Sequence, residues 1–312
     1  MPIPSRSAEA QGILSAEAYA KINLRLTVGE KRPDGYHEIE SVMQKVSLCD
    51  LVTVELFGQA EQAEQAAPAE EGTRRIRVSC SDPAVPTDGR NIVWGCAEAF
   101  FSAFGIDTYD IRIHIEKHIP SAAGLAGGSA DGAATLRLLN RLFGIHACAD
   151  TLCEIGASVG ADIPFCASEQ KIALCRGRGE ILTPFPPVAP ACAALIVKPR
   201  ALSVPTGEAY RLLDENPPLP DPVRDEGTAR LERELAAGMI PVSLYNDFER
   251  IALKTREVFD IKDKLLEAGA AAALMSGSGP SVYGLFPSLT AAEDARAVFT
   301  DGGLDVFAAS LL

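Results

Sequence analysis

The sequence predicts a two-domain protein of mixed α+β architecture, and three observations lead to this prediction. The chain has 312 residues, enough for two ordinary domains, and 47% of them are hydrophobic, which is ample for packed cores. Segments with an apolar residue at every second position alternate with segments of helical periodicity. The proline-rich stretch 184–190 separates two such halves. We therefore predict one domain over residues 12–187 and another over residues 188–312.

In the first half, alternating apolar residues predict strands, and apolar residues at intervals of three and four predict helices. The predicted strands are 16–28, 39–45, 51–56, 110–120 and short segments around Ala173 and Ile181. The predicted helices are 91–104, the run that follows the glycine-rich segment at 124–128, and 151–159. The polar, low-complexity stretch 58–75 is predicted to be a solvated loop or the tip of a hairpin.

The second half mixes strands and helices in an order that predicts an α+β sandwich. The predicted strands are 193–198 and short segments around Ala272, Val282 and Val306, and the predicted helices are 247–254, 258–268 and 291–299. A stretch rich in proline and acidic residues, 214–227, is predicted to be a surface excursion.

The composition and charge of the chain argue against two classes of binding partner. A formal net charge of −13 and an isoelectric point near 4.9 argue against broad binding to nucleic acids or anionic membranes, because both need a basic surface. The eight cysteines include no Cys-x-x-Cys pair, so zinc-ligand spacing is absent and we expect mostly buried, reduced thiols. No segment has the pattern of a signal peptide or of a membrane span. We expect a cytoplasmic protein, either a monomer or a homodimer.

The run from Pro120 to Ala134 passes from a glycine-rich loop into a helical pattern, with Ser129 expected as the N-cap. Small residues let the backbone approach an anion, and the positive end of the helix favours negative charge there. A tight turn with close packing is the ordinary alternative. The loop lacks the Gly-Lys-Ser/Thr ending of a P-loop, and no dinucleotide-binding unit opens the chain. The sequence therefore predicts a phosphate-binding loop of a third kind.

Three further features bear on function. Lys21 and Asn23 are two residues apart on a strand and share a face; Asp162 lies among small and apolar residues; and 276–281 is a second small-residue loop. Taken singly, they are typical of an edge charge, a turn or cap residue, and a generic turn. Taken together, and without metal clusters or a Ser-His-Asp order, they indicate phosphoryl transfer rather than acyl transfer.

These segments resemble the GHMP kinase superfamily, whose signature loop reads Pro-x-x-x-Gly-Leu-x-x-Ser-[Ser/Ala]. The resemblance is carried, in chain order, by Ala20-Lys-Ile-Asn-Leu24, Pro33-Asp-Gly-Tyr-His-Glu38, Gly124-Leu-Ala-Gly-Gly-Ser-Ala-Asp131, Gly160-Ala-Asp-Ile-Pro164, Arg178-Gly-Glu-Ile-Leu182 and Ser276-Gly-Ser-Gly-Pro280. It implies an N-terminal domain like the second domain of ribosomal protein S5, a ferredoxin-like C-terminal domain, and a site in the cleft between them.

Within the superfamily, the Asp-Gly-Tyr-His motif makes the chain most similar to the family that phosphorylates the 2-hydroxyl of 4-diphosphocytidyl-2-C-methyl-D-erythritol in non-mevalonate isoprenoid biosynthesis. A sugar, homoserine or mevalonate kinase of the same superfamily and a non-catalytic nucleotide-binding regulator remain the alternatives. The chain departs from the family pattern at Ala122, Ala123, Ala126, Ala130-Asp131-Gly132, Ser278 and Pro280. Residues from about 207 to 240 match it poorly, so no substrate contact is predicted there.

The resemblance also implies roles for individual residues. Asp162 would accept the hydroxyl proton, and Lys21 would stabilise the transferring phosphoryl group. ATP, with Mg²⁺ bridging its phosphates and Ser129 as the protein contact of the metal, would bind the loop residues Pro120, Ser121, Ala122, Ala123, Gly124, Leu125, Ala126, Gly127, Gly128, Ser129 and Ala130, with Asn91 and Lys117 nearby. Asn23, Tyr36 and His37 would bind the substrate, the last two at the cytosine. No dedicated metal site built from side chains is predicted.

Overall fold

Two β-sheets packed face to face form the framework of the protein. The computed structural model describes residues 11–57, 74–189, 191–216, 224, 226–252 and 256–312. The predicted loop at 58–75 lies, up to residue 73, outside the described residues.

The described elements follow one another in an order that alternates strands and helices. In the first half they are β1 (Gly12–Lys31), β2 (His37–Leu56), β3 (Arg74–Cys80), α1 (Ile92–Ala103), β4 (Tyr109–Glu116), α2 (Gly127–Leu142), α3 (Ala149–Ala157), α4 (Ile163–Ala167), β5 (Ile172–Arg176) and β6 (Ile181–Pro184). In the second half they are β7 (Ala193–Pro199), α5 (Thr206–Glu215), α6 (Gly227–Ala236), β8 (Tyr245–Asn246), α7 (Glu249–Ala252), α8 (Arg256–Glu267), β9 (Ala272–Met275), β10 (Val282–Phe286), α9 (Leu289–Ala295), a 3₁₀ turn (Arg296–Val298) and β11 (Leu304–Ser310).

The first sheet is built on the long antiparallel pair β1 and β2. Its order in the described residues is β3-β4-β2-β1-β8, and β5 pairs with β2 and β6 with β5. The prediction of two separate strands at 39–45 and 51–56 was wrong, because one continuous strand covers both. Its two halves pair with different neighbours, residues 51–56 with β4 and residues 41–44 with β5.

The irregular register between β1 and β2 explains why the alternation in the sequence was interrupted. Tyr19 lies opposite Cys49, whereas Lys21 lies opposite Lys45, so β2 has extra residues between these two pairs. Such a bulge shifts the faces to which the following side chains point. The strand therefore continues although its pattern of apolar residues changes.

The second sheet has the strand order β11-β7-β10-β9, with antiparallel pairing throughout. Together with the helices between its strands, this order confirms the predicted α+β sandwich of the second half. Strand β8, also from the second half, pairs in parallel with β1 of the first sheet. The two halves are thus interleaved, and the boundary at 187/188 stays a prediction.

Apolar packing on both sides of β1 determines how the two halves meet. Ile22 and Leu24 lie in a core between the sheets, together with Ile196, Tyr283 and Leu285 of the second half. The helices α1, α2 and α3 cover the other face of the first sheet and contribute to a separate core. Because residues two apart share a face, Lys21 and Asn23 point away from the inter-sheet core. The packing of β1 therefore places its polar residues on the side of the helices.

Across the described residues, no helix combines the length and apolar character needed to cross a membrane.

A substitution at Gly284 on β10 tests how tightly α8 packs on the second sheet. A Cβ atom at this position would lie 2.9 Å from Cβ of Ala270 and 3.2 Å from Cβ of Leu265. We expect Gly284→Ala to lower the free energy of unfolding by about 1–3 kcal/mol, because the added methyl group overpacks a filled core. Gly89, whose Cβ would contact nothing within 4 Å, supplies the control. Gly89→Ala should change stability by less than about 0.5 kcal/mol, and equal midpoints of thermal unfolding for the two variants would contradict the packing argument.

Candidate active site

A cleft of about 900 Å³ runs between the glycine-rich loop, β1, the start of α4 and the loop after β9. Most of the residues predicted from the sequence line this single cleft. They are Lys21, Asn23, Tyr36, His37, Asn91, Lys117, Asp162, residues 120–124 and residues 126–129. Leu125 and Ala130 do not line it, because their side chains are buried in the apolar cores.

Lys21 and Asp162 meet at the centre of this cleft. The Lys21 ammonium lies 2.6 Å from Oδ1 of Asn23 and 3.8 Å from Oδ2 of Asp162. The lysine side chain is 4% exposed, so it is not the solvated edge charge that the ordinary interpretation predicted. A buried charge needs close partners. The strand pattern that placed Lys21 and Asn23 on one face is confirmed.

A chain of hydrogen bonds fixes the orientation of Asn23. Its Nδ2 donates to Oγ of Ser41 at 2.7 Å, and Ser41 donates to the carbonyl oxygen of Arg25 at 2.7 Å. The amide oxygen of Asn23 is thereby left to accept from Lys21. The network holds the ammonium in place from the side of β2.

Asp162 lies directly before α4, where a carboxylate commonly caps a helix. Its side chain makes no cap hydrogen bond within the described residues. The carboxylate is 32% exposed and faces the cleft instead. It is therefore available to a ligand, with Lys21 as its nearest cation.

The glycine-rich loop enters α2 three residues earlier than the sequence predicted, since Ser129 was expected as the N-cap and the structure has Ala126 there. The helix begins at Gly127, and its cap is Ala126, which has a left-handed conformation with φ of 57° and makes no side-chain cap hydrogen bond. The prediction of Ser129 as the N-cap was wrong, because the left-handed turn at Ala126 already ends the loop. The first N–H groups of α2 have no acceptor within the helix and lie at its positive end, beside the cleft.

Lys117 lies behind this helix start with two carboxylates. Its ammonium contacts Asp50 and lies 2.9 Å from Asp131, and all three side chains are at least nine-tenths buried. Burial raises the pKa of Asp131 to about 7, against the opposing effect of Lys117 and with a further contribution from Asp50. Burial lowers the pKa of Lys117, but the two carboxylates outweigh it and the pKa is raised.

The Lys117 ammonium also approaches the phosphate-binding loop. A Cβ atom on Gly127 would lie 3.2 Å from Nζ of Lys117. An ammonium has three donors, and the carboxylates of Asp50 and Asp131 occupy two of them. The absence of a side chain at Gly127 leaves the third donor close to the cleft.

The loop after β9 closes the cleft by direct contact with the glycine-rich loop. Gly124 has φ of +75°, and a Cβ atom there would lie 2.1 Å from the carbonyl oxygen of Ser276. Oγ of Ser276 donates to the carbonyl oxygen of Gly124 at 2.9 Å. Nδ2 of Asn246 holds the second loop by donating to the carbonyl oxygens of Met275 and Gly277 at 2.7 and 2.9 Å. Ser276–Ser281 is therefore more than a generic turn.

Asn91 caps helix α1 as well as lining the cleft. It is the N-cap of α1, with Oδ1 accepting from the backbone N–H of Val93 at 3.1 Å and Nδ2 donating to the carbonyl oxygen of Pro86 at 2.7 Å. The oxygen and the nitrogen of the Asn91 amide therefore both make hydrogen bonds that stabilise the wall of the cleft. A role in ATP binding stays a prediction.

The cleft is also lined by residues that the sequence did not single out. Nε2 of His37 lies 2.7 Å from Oδ1 of Asp214, and the imidazole stacks on the Tyr210 ring at a centroid distance of 5.0 Å. The guanidinium of Arg178 lies over the Tyr36 ring at 5.0 Å. Arg178 stands in a motif that carried the family resemblance, so the sequence contained a signal for it.

Tyr210 and Asp214 belong to a segment that matched the family poorly. Asp214 opens the stretch 214–227, which was predicted to be a surface excursion. Within the described part of that stretch, residues 214–216 and 226 are exposed as predicted. Asp214 nevertheless contacts His37, and Gly227, buried against Arg25, departs from the prediction. The helical conformation of α5 brings Tyr210 and Asp214, four residues apart, onto one face toward β2.

Comparisons with known proteins identify the family of this site. The profile of the GHMP kinases N terminal domain matches residues 91–170, and that of the GHMP kinases C terminal matches residues 231–303. A 4-diphosphocytidyl-2-C-methyl-D-erythritol kinase from Geobacter metallireducens is 38% identical over 289 residues, which cover 92% of this chain and 94% of the relative. Another, from Geobacillus kaustophilus, is 42% identical over 274 residues, covering 87% and 88%.

Solved structures agree with this result. A crystal structure of 4-(cytidine 5'-diphospho)-2C-methyl-D-erythritol kinase superposes with a TM-score of 0.69 at 29% identity, covering 95% of this chain and 99% of that one. A homoserine kinase from Cytophaga hutchinsonii, at 18% identity and a TM-score of 0.68 over 100% of this chain and 97% of that one, shares the fold. The expected GHMP kinase fold is confirmed. The chain therefore belongs to the 4-diphosphocytidyl-2-C-methyl-D-erythritol kinase family of the GHMP kinases and is an ATP-dependent kinase.

Proposed function

We propose that this enzyme transfers the γ-phosphoryl group of ATP to the 2-hydroxyl of 4-diphosphocytidyl-2-C-methyl-D-erythritol, giving the 2-phosphate and ADP. The observation that carries the proposal is that the Lys21–Asp162 pair shares one cleft with the start of α2 and with Tyr36 and His37. The names of the relatives at 38% and 42% identity support the choice of acceptor.

In the proposed reaction, the acceptor oxygen attacks the γ-phosphorus, and the bond between that phosphorus and the β,γ-bridging oxygen breaks. Asp162 accepts the hydroxyl proton, because its carboxylate faces the cleft and is not used as a helix cap. Lys21, held by Asn23, stabilises the negative charge on the transferring group. The N–H groups at the start of α2, with the third donor of Lys117, hold the remaining phosphates.

The cleft also fits Mg²⁺ carried by the phosphates of ATP. The Ser129 hydroxyl lines the cleft and makes no hydrogen bond to the described residues. Within those residues there is no group of three or more His, Cys, Asp or Glu side chains that could hold an ion. Mg²⁺ commonly keeps several waters and takes one or two protein ligands besides phosphate. Ser129 would be such a ligand, and the ion would neutralise phosphate charge.

We also propose that the enzyme works in the cytoplasm. All eight cysteines carry free thiols, which fits a reducing compartment.

A coupled assay of ADP release tests the function. The cytidyl acceptor, its uncytidylated precursor, homoserine, mevalonate and galactose would each be offered with ATP. We expect turnover on the cytidyl compound alone. Turnover on another alcohol would favour a different GHMP kinase activity, and binding of ATP without any turnover would favour a nucleotide-binding regulator.

Asp162→Asn tests the assignment of the base. The amide keeps the size of the side chain but cannot accept the proton, so we expect kcat to fall by about 10²–10⁴-fold while ATP affinity changes little. Glu154→Gln, at an exposed position on α3 outside the cleft, is the matched control and should retain full activity. Turnover by Asp162→Asn at the wild-type rate would remove Asp162 from the mechanism.

Gly124→Ala tests the contact between the two loops. The new methyl group would meet the carbonyl oxygen of Ser276, and we expect the KM for ATP to rise at least about tenfold as the loop is displaced. Gly105 also has a positive φ, of +61°, but has nothing within 4 Å of its Cβ position. Gly105→Ala therefore reproduces the backbone strain without the clash, and its KM for ATP should equal that of the wild type. Similar KM values for both variants would show that the loop contact does not position ATP.

A further inference from the structure

Helix α5 holds His37 through the carboxylate of Asp214, which also binds Lys31 at the end of β1. Oδ1 of Asp214 lies 2.7 Å from Nε2 of His37, and its Oδ2 accepts from Nζ of Lys31 at 2.9 Å. The hydrogen bonds from Lys31 and His37 lower the pKa of Asp214. An ionised carboxylate can only accept hydrogen bonds. Nε2 of His37 must therefore carry a proton.

The other surfaces of the imidazole are also accounted for. One face stacks on Tyr210 with an interplanar angle of 18°, and Tyr210 is in turn held edge-on by Phe248 at 5.0 Å. His37 is 8% exposed and lines the cleft. Its Nδ1 makes no hydrogen bond to any residue that the structure describes. Nδ1 is therefore the nitrogen left for a ligand in the cleft, and in the neutral imidazole it is an acceptor when Nε2 is protonated.

We propose that Asp214 is a positioning residue that fixes the Nε2-protonated tautomer of His37 and so makes the acceptor end of the cleft select cytosine over uracil. This inference rests on the proposed function, in which His37 meets the base. Cytosine presents an amino donor at position 4, whereas uracil, like thymine, presents a carbonyl acceptor there. An acceptor nitrogen on His37 pairs with the amino group and opposes the carbonyl. Sites that hydrogen-bond a substrate group discriminate strongly against analogues that lack it.

A second acid on α5 provides the matched control. Glu208 is exposed, does not line the cleft and makes no ion pair or side-chain hydrogen bond to the described residues. It shares the charge and the helix of Asp214 but not the contact with His37. Glu208→Gln is therefore the control for Asp214→Asn, whereas Glu215 is unsuitable because it pairs with Arg211, which lines the cleft.

The kinetic test compares cytidyl and uridyl forms of the acceptor in the wild type and both variants. An amide at position 214 can donate to or accept from Nε2, so neither tautomer is enforced. We expect Asp214→Asn to raise the KM for the cytidyl acceptor by about tenfold and to lower the preference for it over the uridyl form by a similar factor. The KM for ATP and the kcat at saturation should stay within twofold of the wild type, on the order expected for unaltered groups. Glu208→Gln should match the wild type throughout.

A measurement independent of activity reports the tautomer itself. The chain has four histidines, so the His37 signals in a long-range ¹H–¹⁵N correlation spectrum can be assigned by comparison with His37→Gln. In spectra recorded over a range of mildly alkaline pH, we expect the wild type to show a proton on Nε2 and none on Nδ1. Asp214→Asn should show a mixture of tautomers.

The outcomes separate this inference from the proposed function. A proton on Nδ1 of the wild type, or unchanged base preference in Asp214→Asn, would overturn the role of Asp214 alone. An equal rise in the KM for ATP would also overturn it, since a general disturbance of α5 would then explain the loss. Absence of turnover of the cytidyl acceptor by the wild type would contradict the proposed function and the base selection together.

Discussion

The contact between Gly124 and Ser276 is the constraint on which the site depends. It joins the glycine-rich loop of the first half to the loop after β9 of the second, through a hydrogen bond of 2.9 Å and a backbone approach that leaves no room for a side chain. The backbone N–H of Asn23 also donates to Oγ of Ser276, at 3.4 Å. One serine thus links the strand that carries Lys21 to the glycine-rich loop. The cleft keeps its shape because both halves meet at this point.

Strand β1 connects this contact to the rest of the fold. Its apolar residues fill the core between the sheets, which forces Lys21 and Asn23 to the opposite side. A lysine buried there is stable only with close hydrogen-bond and charge partners, and Asn23 and Asp162 provide them. The same packing that joins the two halves therefore also creates the centre of the active site.

An ion network of Asp50, Lys117 and Asp131 also supports the glycine-rich loop. Asp50 accepts from the backbone N–H groups of His118 and Ile119 at 2.6 and 2.8 Å, so it fixes the chain between β4 and the glycine-rich loop. Lys117 joins this carboxylate to Asp131 on α2. The ion network thereby holds the start of α2 through Asp131, and Ser276 holds the preceding loop through Gly124. A preorganised backbone of this kind can bind phosphates without rearrangement.

Features that are local along the chain could be predicted before the fold was known. Two residues on one face of a strand, a glycine-rich loop before a helix and an acid before Ile163-Pro164 follow from backbone geometry, and each lines the cleft. Contacts between distant segments could not be predicted in this way. Asp214 lies 177 residues from His37 in the chain, and no local pattern encodes that contact, because it results from the packing of α5 against β2. The continuous β2 and the start of α2 at Gly127 were likewise decided by pairing and packing, which outweigh local propensity.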